Sequence, residues 1–272
     1  MATNLREASV IRVDEASVAS FHRDGAVCLR GLFRDWVETL ARGIDRNLAA
    51  PSEDVRIYDG GEGRFFGDYC NWQRIPEYRQ FVFESPAARL AQILMGSRSV
   101  RFFHDHVLIK EPGADVPTPW HQDQPYYCVD GAQSCSIWVP LDTVDRATSP
   151  EFVAGSHEWD RFFRPERFNK TPLNAGDALP PVPDIEADRS QYNILGWDME
   201  PGDAVAFTFR TLHGAPANKR RDRARRAFSS RWVGDDATFA RRSGTTSPPF
   251  RHVTLPHGAP LEGPDFPVVI GG

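Results

Sequence analysis

The chain has 272 residues, of which 40% are hydrophobic, enough for a packed core and too many for a disordered polymer. Its net charge of −5, from 32 basic and 37 acidic side chains, argues against a nucleic-acid surface spread over the whole molecule. Cys28, Cys70, Cys128 and Cys135 form no C-x-x-C pair, so buried free thiols are expected rather than a zinc or redox site. The charged N-terminus has no signal-peptide core and no window suits a bilayer, which predicts a cytoplasmic protein with no membrane partner.

In chain order, DEASVASFHRDG predicts a short helix with Asp14 as N-cap and Gly25 as its stop. AVCLRGLF reads as a strand. RDWVETLARGIDRNLAAP places Trp36, Leu40, Ile44 and Leu48 at helical spacing and ends at Pro51. SPAARLAQILMG predicts a helix bounded by Ser85–Pro86 and Gly96.

After residue 98 the texture changes. SVRFFHDHVLIKEPG, SCSIWVPLDTVD, EFVAGSH, NILGWDMEPGDAVAFTF and RRAFSSRWVGDD are β-branched and aromatic runs punctuated by Gly, Pro and Asp. Helices followed by such runs predict an antiparallel sandwich or barrel. Residues 161–191 are Pro- and Asp-rich without a period, as expected of a lid or binding loop. The Pro- and Gly-rich tail from about residue 240 is expected to wrap the surface. One domain over 1–272 is expected: a helical region over about 1–98, a β core over about 99–236 and a tail over about 237–272.

The chemistry concentrates in TPWHQDQPYY. On a strand, residues two apart share a side, so His121 and Asp123 can meet one ion. His213, after DAVAFTF and at the start of the turn HGAPAN, is the candidate third ligand. Two histidines and a carboxylate, with three positions left open, are the donor set of non-haem Fe(II) oxygenases. Zinc favours a four-coordinate site. Within the basic cluster KRRDRARR (219–226), Arg225 is the candidate to neutralise a carboxylate, since an arginine fork suits that task. Arg231 shares its strand face and is a candidate for an anionic substrate. The aromatic residues Phe65, Phe66, Tyr69, Trp72, Tyr126 and Tyr127 are candidates to line the mouth or to serve as core.

WHQDQ, SIWVPLDTVD…EFVAGSH and MEPGDAVAFTFRTLHGAPAN…RRAF together resemble the phytanoyl-CoA dioxygenase family, over about residues 17–236. The resemblance implies a mainly β fold with flanking helices, a double-stranded β-helix (jelly-roll, cupin-like barrel). It implies Fe(II), 2-oxoglutarate as cosubstrate and O2, with His121, Asp123 and His213 as iron ligands and Arg225 on the distal carboxylate of 2-oxoglutarate. Trp138 matches a tryptophan of the cosubstrate pocket, and His106 falls where another cosubstrate contact is often found. The interval from His213 to Arg225 is one residue longer than usual, which leaves Arg223 and Arg226 as alternatives. Ala215 stands where many members have a serine. Because Asp123 is present, hydroxylation or desaturation of a small-molecule substrate is implied, with release of succinate and CO2 and without chlorination. The rivals are a cupin-like isomerase or hydrolase that does not use 2-oxoglutarate, a non-catalytic binding protein, and a nucleic-acid demethylase using the basic cluster.

Overall fold

The computed structural model describes residues 11–168 and 170–271. The first ten residues, and with them the start of the expected N-terminal region, lie outside the described residues. Four α-helices are described: α1 (Glu15–Asp24), α2 (Val37–Ala49), α3 (Pro76–Glu84) and α4 (Ala87–Met95). The strands are β1 (Ala26–Leu29), β2 (Arg56–Gly60), β3 (Gly63–Tyr69), β4 (Val100–Lys110), β5 (Thr118–His121), β6 (Val129–Asp130) and β7 (Ser134–Pro140). They continue with β8 (Glu151–Val153), β9 (Ile194–Leu195), β10 (Ala204–Phe207), β11 (His213–Ala215), β12 (Arg225–Val233), β13 (Thr238–Phe239) and β14 (Val268–Ile270).

Two antiparallel sheets carry the fold. The larger runs β1-β10-β7-β12-β4-β3-β2, with β14 also on β4, and the smaller runs β5-β11-β8-β9. This is the double-stranded β-helix, with two separate sheets rather than one closed barrel. β13 and β6 form a separate pair.

Strand alternation explains where core and site lie. Along β12, Phe228 and Trp232 enter the main core, whereas Arg225, Ser229 and Arg231 face a cavity. Along β4, Val107 and Ile109 pack into that core while His104, His106 and Leu108 line the cavity. The helices cover the outer face: Tyr78 and Phe81 of α3 meet the Phe228 ring at centroid distances of 4.7 and 5.2 Å.

The predicted caps hold. The Asp14 carboxylate accepts from the Ser17 amide at 2.6 Å, and Gly25 ends α1 at φ 77°, a conformation glycine adopts without steric cost. Three details differ from the expectation. Leu48 points outward at 43% exposure, so the buried stripe of α2 is Leu40, Gly43, Ile44 and Asn47. Besides the expected strand β1, the region expected to be helical contains the β2–β3 hairpin, and all three strands extend the larger sheet. Helix α3 was not anticipated, although Pro76 in its first turn and Tyr78, Phe81 and Val82 at helical spacing mark it. Among the described residues no helix is long and apolar enough to cross a membrane.

The α2–α3 contact gives a prediction with a definite sign. Replacing a helical glycine by alanine usually gains about 1 kcal/mol. At Gly43 a Cβ would lie 2.4 Å from Cε1 of the fully buried Tyr78. Overpacking of that kind costs on the order of 3 kcal/mol. Gly43→Ala is expected to destabilise by about 2 kcal/mol net, read as a lower denaturant midpoint with unchanged slope; a raised midpoint contradicts the packing described here.

Candidate metal centre and cosubstrate cavity

His121 closes β5, and the chain then bends into a 3-10 turn over Gln124–Tyr126 with Asp123 as its N-cap. Asp123 therefore reaches His121 through a bend, not through strand alternation as the spacing alone implied. His213 opens β11 as a strand residue, where a turn was expected, and sits directly opposite His121 in the β5–β11 register. The two imidazole centroids are 4.2 Å apart. Asp123 Oδ1 lies 3.6 Å from His121 Nε2 and 3.9 Å from His213 Nε2, and one ligand atom from each residue lies within 4.8 Å of the others. Among the described residues this is the one such group of three or more histidine, cysteine or acidic side chains.

The second ring nitrogens set the orientation. His121 Nδ1 donates to the Pro119 carbonyl at 2.8 Å and His213 Nδ1 to that of Thr211 at 2.9 Å. Both Nε2 atoms are left with a lone pair toward Asp123, the tautomer a metal requires. Burial, and then the neighbouring His121, push His213 down to about 3, so it is neutral without a metal. Burial would raise the Asp123 carboxyl, but the Arg231 guanidinium beside it outweighs burial and holds the group well below the usual carboxylate range. Ser136 Oγ donates to Asp123 Oδ2 at 3.1 Å, and Arg231 Nε approaches the same oxygen to 3.8 Å while donating to the Tyr127 hydroxyl at 2.9 Å. One carboxylate oxygen is thus restrained by the protein while the other faces the imidazoles. Two neutral imidazole nitrogens and one ionised oxygen fit iron by donor type, and three ligands leave coordination positions open.

The triad opens onto a cavity of about 690 Å³ that also holds Arg225, Trp138 and His106. Arg225 is buried and its guanidinium donates to the Thr148 carbonyl; burial pushes it down to about 10. The alternatives point elsewhere: Arg226 pairs with Asp142 at 2.7 Å and Arg223 lies 3.6 Å from Asp145. Burial, followed by Arg231, pushes His106 down to about 3. His104 Nε2 and Ser229 Oγ are buried cavity-lining atoms with no hydrogen-bond partner among the described residues. Of the aromatic candidates, Phe65, Tyr69, Tyr126 and Tyr127 line the cavity, whereas Phe66 and Trp72 belong to the core.

Other neighbours were not foreseen. Lys110, the register partner of Arg225, is buried and donates to the Pro216 carbonyl at 3.0 Å, with Phe65 beneath it at 4.9 Å. Burial, then Arg225, lowers its pKa well below the ordinary value. Ser136 sits two before Trp138 on β7 and shares its face, a signal present in the alternation. Gln122 turns away from the triad and ties the start of the 161–191 loop by accepting from Phe163 N at 3.1 Å and donating to Arg161 O at 3.1 Å. That loop does cover the cavity: the Tyr126 hydroxyl donates to Glu166 O at 2.8 Å and accepts from Glu166 N at 2.7 Å. The tail does more than wrap the surface, because Thr245, Thr246 and Ser247 form part of the wall.

Residues 21–227 match the family model described as phytanoyl-CoA dioxygenase (PhyH), about three quarters of the chain. A Caenorhabditis elegans protein described as a probable phytanoyl-CoA dioxygenase is 24% identical over 198 residues, and the match spans 71% of this chain but only 58% of that protein. Among solved structures, the non-haem 2-oxoglutarate-dependent carbocyclase SnoK from nogalamycin biosynthesis aligns with TM-score 0.75 and 24% identity, over 94% of this chain and 96% of that one. The epimerase SnoN, solved with Fe3+, 2-oxoglutarate and nogalamycin RO, aligns with TM-score 0.69 and 25% identity, over 94% and 98%. The chain belongs to the phytanoyl-CoA dioxygenase family of Fe(II)- and 2-oxoglutarate-dependent oxygenases.

Proposed function

We propose that the protein oxidises a C–H bond of a small molecule with O2 and 2-oxoglutarate, using iron held by His121, Asp123 and His213. The observation that carries this reading is the convergence of that triad on a cavity that also contains a buried arginine, Arg225, without a carboxylate partner among the described residues. When bound, iron and 2-oxoglutarate supply the oxidising chemistry, and 2-oxoglutarate leaves as succinate and CO2.

The chain's own part is positioning. His121 and His213 turn their Nε2 atoms toward the site because their Nδ1 atoms are engaged by backbone carbonyls. Asp123 offers Oδ1 because Ser136 and Arg231 attend to Oδ2. Arg225 neutralises the carboxylate of 2-oxoglutarate remote from the metal, a role that a desolvated guanidinium suits and that the ion-paired Arg223 and Arg226 do not. Trp138 and His106 complete that part of the wall. The loop carrying Glu166 excludes water from above.

Hydroxylation is the outcome proposed. The likeness to the epimerase SnoN and the carbocyclase SnoK supports a second reading, in which hydrogen removal ends in inversion or ring closure. Product mass separates these outcomes: one added oxygen, an unchanged mass, or the loss of two hydrogens.

Fe(II)-dependent conversion of 2-oxoglutarate to succinate is expected in the purified protein and is expected to vanish in His213→Ala. Activity on a substrate without 2-oxoglutarate consumption would favour a cupin-like isomerase or hydrolase instead. Arg225→Met is expected to raise KM for 2-oxoglutarate by roughly 30-fold or more, the usual penalty for removing one partner of a buried charge pair. An unchanged KM in a folded variant assigns the cosubstrate anchor elsewhere.

A pH dependence follows from the buried histidines. His104, His106 and His213 are all pushed down by burial in the fold, the latter two to about 3. The unfolded chain takes protons on these groups near pH ~6.5, so it binds more protons than the native state on acidification. The stability that the neutral imidazoles represent is complete above that value and is lost as pH falls toward 3. Asp105, raised to about 6 by burial, works in the opposite direction but is one group against three. Metal-free protein is expected to lose on the order of a few kcal/mol between about pH 7 and about pH 5, read from denaturant midpoints. A flat profile contradicts neutral, buried imidazoles at these positions.

A further inference from the structure

The cavity carries a charge sign opposite to that of the whole chain. Net charge is −5, yet the charged side chains lining the cavity, histidines aside, are five arginines and two carboxylates. Most of these are answered. Asp123 belongs to the metal triad and faces Arg231 at 3.8 Å. Glu166 is met by Arg164 at 2.8 Å, and Arg251 by Asp54 at 3.1 Å. Arg225 is assigned above to the cosubstrate. Arg56 and Arg167 remain, and both line the cavity from exposed positions without forming an ion pair among the described residues.

Their guanidinium groups are held, but by carbonyls. Arg56 Nη1 donates to the Asp54 and Val55 carbonyls, each at 3.0 Å. Arg167 donates from Nη1 to the Pro172 carbonyl and from Nη2 to that of Leu173, the latter at 2.7 Å. A carbonyl dipole restrains the direction of a guanidinium without cancelling its unit charge. Beside these cations lies an aromatic shelf. Tyr58 shares the cavity-facing side of β2 with Arg56, and its ring stacks on Phe168 of the 161–191 loop at a centroid distance of 4.2 Å, with Phe65 5.7 Å from Tyr58 on the neighbouring strand. The register partner of Arg56 is Gly67, whose missing side chain leaves the cavity open at that point.

We propose that Arg56 and Arg167 form an anion-binding subsite at the outer end of the cavity, and that the substrate carries a carboxylate, sulfate or phosphate there while its apolar or aromatic body lies along Tyr58, Phe65 and Phe168. The proposal rests on the function given above and names the class of molecule oxidised. Concave walls of one sign focus the field and concentrate the opposite charge, and charge-assisted bonds to arginine give discrimination that apolar contact alone does not. One arginine comes from the β2–β3 hairpin and the other from the covering loop, so the anion also binds those two segments together.

The test uses naphthalene-2-carboxylate, naphthalene-2-sulfonate and neutral naphthalene-2-carboxamide. Binding is measured calorimetrically without oxygen on protein loaded with Fe(II) and saturating 2-oxoglutarate. Both anions are expected to bind about tenfold or more tightly than the carboxamide. In the double variant Arg56→Met/Arg167→Met that preference is expected to fall to roughly twofold or less, and Arg56→Lys/Arg167→Lys is expected to recover part of it. Equal binding of the three probes, no binding by any of them, or a preference that survives in the methionine variant overturns the proposal. So does a preference that vanishes as 2-oxoglutarate reaches saturation, since the anion would then be occupying Arg225. Succinate production is followed on the same preparations: its absence sinks the oxygenase reading whatever the calorimetry gives, and its presence with equal probe binding sinks the anion subsite alone.

Discussion

The site depends on one register: His213 opposite His121 across β11 and β5. A strand pair slipped by one residue would turn one imidazole to the other face of the smaller sheet and leave a single histidine beside Asp123. That register is held on both sides of β11, because His213 also pairs with Phe152 of β8. Phe152 and Phe207 then pack on the His213 ring at 5.9 and 4.6 Å, so the orientation of the ligand is set by apolar packing as well as by its hydrogen bond. The convergence of the triad is therefore a by-product of correct sheet assembly, and a mutation in the smaller sheet can damage it without touching His121, Asp123 or His213.

Electrostatics then divides labour among buried groups that would otherwise be costly. Three histidines are kept neutral by desolvation, while Asp123 stays ionised because Arg231 lies beside it. Arg231 and Arg225 lie on the same face of β12, six residues apart in the chain, and Arg231 answers the protein's own carboxylate while Arg225 has none to answer among the described residues. That asymmetry is what makes Arg225 available for a ligand. Lys110 adds a buried amine next to it, restrained by the carbonyls of Ala215, the last residue of β11, and Pro216. The turn leaving His213 and the part of the cavity around Arg225 are thereby joined through one side chain.

The triad was legible because two of its members are adjacent in the chain and the third recurs in a recognisable order with HG and RRAF. The way they meet was not. Strand alternation leads to the right pair for the wrong reason, since Asp123 lies past the end of β5 on a bend set by Gln124–Tyr126. Arg225 could be preferred over Arg226 by phase, and the Arg226–Asp142 pair explains why phase decides: an outward arginine finds a surface carboxylate. Helix α3 and the β2–β3 hairpin escaped because both are short, polar at their edges and stabilised by contacts remote in sequence, such as Tyr78 on Phe228. Lys110 escaped because a lysine ending a strand reads as a solvated charge until the tertiary packing that buries it is known.

The same reasoning explains why family membership constrains the reaction more tightly than the substrate. His121, His213 and Arg225 stand on strands and Asp123 on the bend that follows β5, all within the matched residues 21–227. Much of the substrate side of the cavity stands on the covering loop, on the hairpin and on Thr245–Ser247, and the last of these lies beyond that match. The loop and the tail are bound to each other by side-chain to backbone contacts. Asn174 of the loop donates to the Thr245 carbonyl at 3.0 Å and accepts from its amide at 2.8 Å. Such a wall can change in sequence while both sheets keep their register, because no ladder hydrogen bond between the sheets' own strands runs through the Asn174–Thr245 contact. Selectivity can therefore be altered at the rim while the oxidising centre beneath it keeps its geometry, which is the physical reason one scaffold serves unlike substrates.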